Sequence, residues 1–201
     1  PLSYFVMKRA IDILGSLIGC MLLCLVYPFV GLAIRLESKG PVIFRQERVG
    51  RNGRIFRVYK FRTMVDNAEE LAKKIQKNKK KSKEFIQCDN DPRVTKVGRF
   101  LRKYSIDELP QMINVLKGDM SLIGPRPFIV EESRLCGDIN EIRLSIRPGL
   151  TGYAQVHGRN DLTLEERMEK DIFYVQNMSM LLDLKIFLKT IVVVFKKEGA
   201  Y

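Results

Sequence analysis

The sequence predicts a helix-rich α+β protein: an N-terminal apolar helical hairpin over residues 1–38, then one further domain over residues 39–201. Three observations carry that expectation. Residues 10–36 are almost continuously apolar, with Asp12 and Arg35 their only charges. Residues 41–64 hold two β-rich runs, Val42-Ile43-Phe44 and Ile55-Phe56-Arg57-Val58-Tyr59, around the turn residues Gly50-Arg51-Asn52-Gly53, which reads as a small β-hairpin. The remainder falls into short helical patterns punctuated by Gly and Pro, with no internal repeat.

At ~1.5 Å per residue the apolar run is long enough to cross a hydrocarbon core of ~30 Å. Pro28 interrupts it by removing a backbone donor. Basic residues flank both ends, Lys8 and Arg9 before, Arg35 and Lys39 after, so a single span would leave one cationic flank on the non-cytoplasmic side. A helix–break–helix hairpin that enters and leaves on the cytoplasmic face satisfies both flanks. It is preferred here over a plain span and over a buried helix of a soluble domain. No small-residue cleavage site follows, so a secretory signal peptide is not expected.

The later elements follow in order. Residues 66–82 read as a charged helix, and the lysine run 77–83 at its end suits a solvated face or contact with anionic lipid. Residues 94–104 read as a basic helix with Lys96, Arg99 and Lys103 on one face. Residues 107–116 form the next helix, 147–152 a turn into a short strand at 153–156, and 164–177 an acidic helix. Residues 179–197 are apolar with Lys185, Lys189, Lys196 and Lys197, which suits either an amphipathic interfacial helix or a core-packed C-terminal helix.

A chain of 201 residues, 46% apolar, can bury one substantial core. Its net charge of +12 points to an anionic partner: nucleic acid, a membrane surface or a phosphorylated substrate. Nucleic acid is the weakest of these, since Trp is absent and there is no zinc-finger spacing or RNP-type aromatic cluster. Cys20, Cys24, Cys88 and Cys136 form no disulfide framework and read as reduced thiols of a cytosolic setting. His157 is the sole histidine and reads as a surface or structural residue, so any metal should be a hard, oxygen-bound one.

The stretch from Ser105 to Pro127 carries the chemistry. Ser105-x-x-Glu108 matches a capping box, in which Asp107 would only complement the helix dipole. Pro110 is harmless only in a first turn, which fixes a helix start near Asp107. An ionised Asp107 beside Glu108 equally suits a nucleophile with an acid/base partner, or a divalent-metal site. Arg126, between Pro125 and Pro127, has a restricted backbone and suits a phosphate- or base-reading guanidinium, or a tie to a surface carboxylate. Lys60 and Arg62 alternate with Phe61, which puts both on one strand face, either as a phosphate site or as the polar face of an edge strand.

Taken together, these blocks resemble the bacterial sugar transferases, or monotopic phosphoglycosyl transferases, over nearly the whole chain. The resemblance rests on Lys8-Arg9-x-x-Asp12, the break at Pro28, Pro41-Val42-Ile43-Phe44-x-Gln46 and Tyr59-Lys60-Phe61-Arg62-Thr63-Met64. It continues through Ser105-x-Asp107-Glu108-Leu109-Pro110-Gln111, Asn114-Val115-Leu116-Lys117-Gly118-Asp119-Met120-Ser121 and Gly124-Pro125-Arg126-Pro127. Arg147-Pro148-Gly149-x-Thr151-Gly152, Gln155-Val156-x-Gly158-Arg159 and Asp171-x-x-Tyr174-Val175 complete it. Tyr27 stands before Pro28 where Ser is common, and Tyr153 stands where Trp is frequent.

The resemblance implies transfer of a sugar 1-phosphate from a UDP-sugar to undecaprenyl phosphate, with Mg²⁺, at the cytoplasmic face of the bacterial inner membrane, an early step of surface-glycan assembly. It implies a covalent route in which Asp107 attacks the β-phosphorus, contacts the metal and expels UMP, with Glu108 handling protons. Lys60, Arg62, Arg126, Arg147, Arg159 and Asp171 carry over as substrate-binding or supporting groups. The sugar and the oligomeric state, a homo-oligomer included, stay open.

Overall fold

The structure, a computed structural model, describes residues 2–68, 70–71, 91–137, 140–158 and 162–196. It is helix-rich α+β, as the sequence predicts. Helix α1 (Leu2–Glu37) is helical throughout. Its buried residues, Tyr4, Asp12, Ser16, Gly19, Leu23, Gly31 and Ile34, form one stripe along its whole length. Gly19 is required by that packing, because a Cβ there would meet the Met112 side chain at 2.5 Å.

The expected pair of helices around Pro28 is a single helix in the structure. An interior proline costs about 3 kcal/mol, and side chains on both sides of it are held by the rest of the protein. Tyr27 packs on Phe61 with ring centroids 6.0 Å apart. Leu23 and Ile34 share a buried cluster with Val42, Phe61 and Leu101. Tertiary packing therefore carries the helix through its weak point.

Both ends of α1 are tied to the same body. Near its start, Tyr4 and Lys8 donate to Asp183 Oδ2 at 3.0 and 2.7 Å. One turn on, Asp12 accepts from the Ser121 hydroxyl at 3.0 Å and from the Leu122 amide at 2.9 Å. At its end, the Glu37 carboxylate accepts from the amides of Lys96 and Val97 at 2.6 and 2.8 Å.

Strands β1 (Ile43–Val49) and β2 (Ile55–Phe61) make the expected antiparallel hairpin, Ile43 opposite Phe61 and Val49 opposite Ile55. Its turn needs Asn-Gly, since Asn52 (φ 55°) and Gly53 (φ 74°) are both left-handed. Helix α2 (Lys96–Lys103) begins at Thr95, whose hydroxyl accepts from the Gly98 amide at 2.9 Å.

The helix expected over 107–116 divides into a 3-10 turn, Ile106–Gln111, and α3 (Met112–Lys117). Pro110 lacks the amide donor that an α-helical interior would use, and the chain takes the tighter turn there. Then come β3 (Ser121–Ile123), α4 (Val130–Leu135), α5 (Asn140–Leu144), β4 (Gly149–Thr151), α6 (Tyr153–Val156), α7 (Leu164–Gln176) and α8 (Met180–Lys196).

The expected strand at 153–156 is instead helical, and the strand lies just before it. There β4 pairs in parallel with β3, Ser121 opposite Gly149 and Ile123 opposite Thr151. The two backbones approach so closely that a Cβ on Gly149 would overlap the Gly124 amide.

On α8, Asp183, Ile186 and Val193 are buried while Leu184, Leu188 and Phe195 are exposed. One face of that helix is thus core-packed. Most of the charged segment 66–82, the lysine run 77–83 and Arg159 lie outside the described residues.

Candidate active site

The hairpin, the 3-10 turn and the loop after β3 meet at one cleft. Lys60, Glu108, Gln111, Arg126, Gln155 and Arg48 all reach its wall. The spacing between hairpin and turn is set by the fully buried Asn114. Its Nδ2 donates to the Arg57 carbonyl at 2.8 Å and its Oδ1 accepts from the Tyr59 amide at 3.1 Å, which fastens α3 to the backbone of β2. Lys60, the next residue along, then pairs with Glu108, Nζ to Oε1 at 2.6 Å.

Ser105 turns the chain into this site with φ 55° and ψ 21°, and its side chain makes no cap hydrogen bond. A left-handed non-glycine residue costs about 1 kcal/mol or more, a strain found at functional turns. With Ser105 uncapping and Glu108 paired to Lys60, the capping-box explanation of Glu108 does not hold.

Asp107 is 8% exposed. Burial, and then the neighbouring Glu108 charge, push its carboxyl up to about 6, against the pull of Lys60 and Arg102. Arg102 is itself turned inward from the end of α2, donating to the Thr63 hydroxyl at 3.0 Å.

Across the cleft, the Arg126 guanidinium makes no hydrogen bond or ion pair among the described residues. Its charge helps hold the Asp171 carboxyl down, and among its cationic neighbours burial together with Arg126 lowers Arg48 to about 10. Arg167 is lowered too, by burial first and then by Arg126. A guanidinium left unpaired among like charges is a ready anion site.

The described residues hold no group of three or more His, Cys, Asp or Glu side chains able to cage a metal. Mg²⁺ is commonly held by one or two carboxylates completed by substrate phosphates and water. Asp107 with its neighbour Glu108 fits that smaller donor set.

Comparison with known proteins decides the family. The bacterial sugar transferase profile matches residues 3–197. This chain belongs to the bacterial sugar transferase family. It is 45% identical over 199 residues to the galactosyl transferase CpsE of Streptococcus agalactiae, covering 98% of this chain and 44% of that protein. It is 44% identical over 205 residues to the undecaprenyl-phosphate galactose phosphotransferase of Salmonella typhimurium, covering 97% and 42%. It is 41% identical over 203 residues to the UDP-glucose:undecaprenyl-phosphate glucose-1-phosphate transferase of Escherichia coli, covering 97% and 41%. The chain thus spans less than half the length of these relatives.

Within the family's set of motif residues, the structure brings Lys60, Glu108 and Arg126 to one cleft, buries Asp107 beside Glu108 and Lys60, and leaves three others apart. Arg62 does not share a strand face with Lys60, because β2 ends at Phe61. Its buried guanidinium donates to the carbonyls of Lys39 and, at 2.8 Å, Ser38, where it caps the end of α1. Arg147 donates from Nε to the Gly118 carbonyl at 2.9 Å. Arg9 donates to the neighbouring carbonyls of Val115 and Leu116 at 2.7 and 2.9 Å, so two arginines cap α3. Asp171 lies buried against Arg143, Oδ2 to Nε at 2.8 Å.

Sequence reasoning missed Arg48, Arg102, Gln111 and Gln155 as site residues. Two of them had a signal. Arg102 follows the buried Gly98 by four residues on α2, and Arg48 alternates with Gln46 on β1. His157 is a structural residue as expected, Nδ1 lying 2.9 Å from the Tyr153 carbonyl.

Proposed function

We propose that this chain transfers a sugar 1-phosphate from a UDP-sugar to undecaprenyl phosphate, releasing UMP, at the cytoplasmic face of the bacterial inner membrane. The observation that carries the proposal is Asp107, buried beside the Lys60–Glu108 pair, whose cleft wall also holds Arg126, a guanidinium with no ion pair among the described residues. The printed names of the Salmonella and Escherichia relatives supply the substrate classes.

In this reading an Asp107 carboxylate oxygen attacks the β-phosphorus of the UDP-sugar. The bond from that phosphorus to the bridging oxygen breaks, and UMP leaves with the electron pair. The acceptor's phosphate oxygen then attacks the same phosphorus and the bond to Asp107 breaks, returning the carboxylate. Glu108, paired with Lys60, takes the proton of the incoming phosphate. Arg126 binds the donor diphosphate and stabilises charge on the transferring group. Mg²⁺ held by Asp107 and the donor phosphates would neutralise further charge there.

The long apolar surface supports the location. The outer face of α1 exposes Leu14, Ile18, Met21, Leu25, Phe29 and Leu32, and α8 adds Leu184, Leu188 and Phe195. Helix α1 is the one described helix long and apolar enough to cross a membrane. At 36 residues it measures about 54 Å, far longer than a ~30 Å core. With both ends fastened to the same body, this continuous helix lies along one face of the lipid and does not cross it. A long-chain acceptor then reaches the cleft without leaving the bilayer.

The test is nucleotide release from a panel of UDP-sugars. UMP as product, lost in Asp107→Asn while membrane association persists, supports the proposal. Release of UDP would instead mean that the sugar moves alone.

A further inference from the structure

Four consecutive carbonyls of the loop carrying Arg126 are each held by a donor. The Gly149 amide donates to Pro125 O at 2.8 Å and the Val49 amide to Phe128 O at 2.9 Å. The two carbonyls between them are held by guanidiniums: Arg143 donates to Arg126 O, and Arg48 to Pro127 O at 3.1 Å. Backbone amides hold the outer two carbonyls, and side chains supply the donors for the middle two.

Arg143 is placed for that task by all three of its guanidinium nitrogens. Nε bonds Asp171 Oδ2 at 2.8 Å, Nη1 bonds Asn140 Oδ1 at 3.2 Å, and Nη2 bonds Arg126 O. Its guanidinium also lies over the Phe128 ring, 3.6 Å from the centroid. Arg143 and Asp171 are both almost completely buried. A buried guanidinium without a carboxylate is an uncompensated charge, and Asp171 supplies the compensation. The line of contact runs from Asp171 on α7, through Arg143 on α5, to the backbone that aims Arg126 into the cleft. Precise aim matters there because Arg48 and Arg167 repel the Arg126 side chain.

We propose that Asp171 is a positioning residue for Arg126, acting through Arg143, and not a substrate contact. The proposal rests on the reading of Arg126 as the donor-phosphate group. Asp171→Asn leaves the Arg126 side chain chemically intact yet loosens the carbonyl behind it.

The experiment is calorimetric binding of UDP to the full chain in lipid nanodiscs, for Arg126→Lys, Asp171→Asn and the double variant. Each single change is expected to weaken UDP about tenfold, because a bidentate phosphate contact is lost or misaligned. The double variant is expected to lie within about twofold of the weaker single one, the signature of two residues acting as one unit. A multiplied loss of about a hundredfold would show independent roles and overturn the proposal. Wild-type affinity in Asp171→Asn would overturn it outright. Unchanged affinity in Arg126→Lys would refute the reading of Arg126 and this inference with it, so the two failures are distinguishable.

Arg143→Lys guards against misfolding of Asp171→Asn. It keeps the charge beside Asp171 but lacks the fork that also reaches Arg126 O. Positioning predicts the same non-additivity with Arg126→Lys. A merely structural role predicts a lower melting temperature with UDP affinity intact, which would overturn the proposal.

Discussion

Asp107 and Asp171 are both buried carboxylates, 8% and 1% exposed, and burial pushes both upward. They differ in what answers the charge. Asp171 has Arg143 at 2.8 Å, and that arginine is spent on it and on the Arg126 loop. Asp107 makes no ion pair among the described residues. The cations near it are engaged elsewhere, Lys60 with Glu108 at 2.6 Å and Arg102 with Thr63 at 3.0 Å. A carboxylate whose charge is fully answered is part of the scaffold. One that is buried and only partly answered stores electrostatic cost and stays available to a ligand.

The sharpest way to break this comparison is to neutralise each carboxylate. Asp107→Asn should lower UMP release by at least about 10³-fold, in line with the loss of a nucleophile. The same substitution should raise thermal stability at pH 7.5. The sign follows from the shift: the folded-state value of about 6 lies above the ordinary 3.8. The neutral form therefore contributes stability that is fully present below 3.8 and lost as pH rises through 6. Melting curves of wild type and Asp107→Asn should coincide near pH 3.5 and separate above pH 6, by about 2–8 °C. Asp171→Asn should do the opposite at pH 7.5 and melt earlier, because it leaves Arg143 buried without its partner.

A smaller effect is expected at Lys60. Lys60→Met removes a cation that pulls Asp107 down and leaves Glu108 unanswered. Turnover should fall about 10²-fold. The acid limb of kcat/KM, expected near the Asp107 value of about 6, should move upward. An unmoved limb would detach Lys60 from the dyad.

The smallest effect on donor binding is expected at Arg62. Its guanidinium caps α1 through Ser38 and Lys39. Arg62→Lys should therefore leave the UDP-sugar KM within about twofold of wild type while lowering the melting temperature by a few degrees.

Much of this architecture is legible along the chain wherever a local rule fixes it. Asn52-Gly53 specifies the hairpin turn, Thr95 starts α2, and the capping box of Thr163 and Glu166 starts α7. Legibility ends where a partner distant in sequence decides. Pro28 reads as a break, yet Tyr27 on Phe61 and the Leu23 and Ile34 packing keep α1 helical. Ser105 and Glu108 read as a cap, yet Lys60, 48 residues away, takes the glutamate. Arg62, Arg147 and Arg126 look alike in sequence. Two cap helices and one faces the cleft, because only the fold determines whether a carbonyl waits across from each guanidinium.

Intact-protein mass spectrometry tests the central claim, that Asp107 is the group left unanswered because it takes the phosphosugar. The chain is mixed with each UDP-sugar of the panel in the absence of undecaprenyl phosphate. The account predicts, for the true donor, a mass gain of one sugar phosphate, one UMP released per chain, and neither in Asp107→Asn. An adduct that persists in Asp107→Asn, or full turnover with acceptor but no adduct without it, would contradict the account.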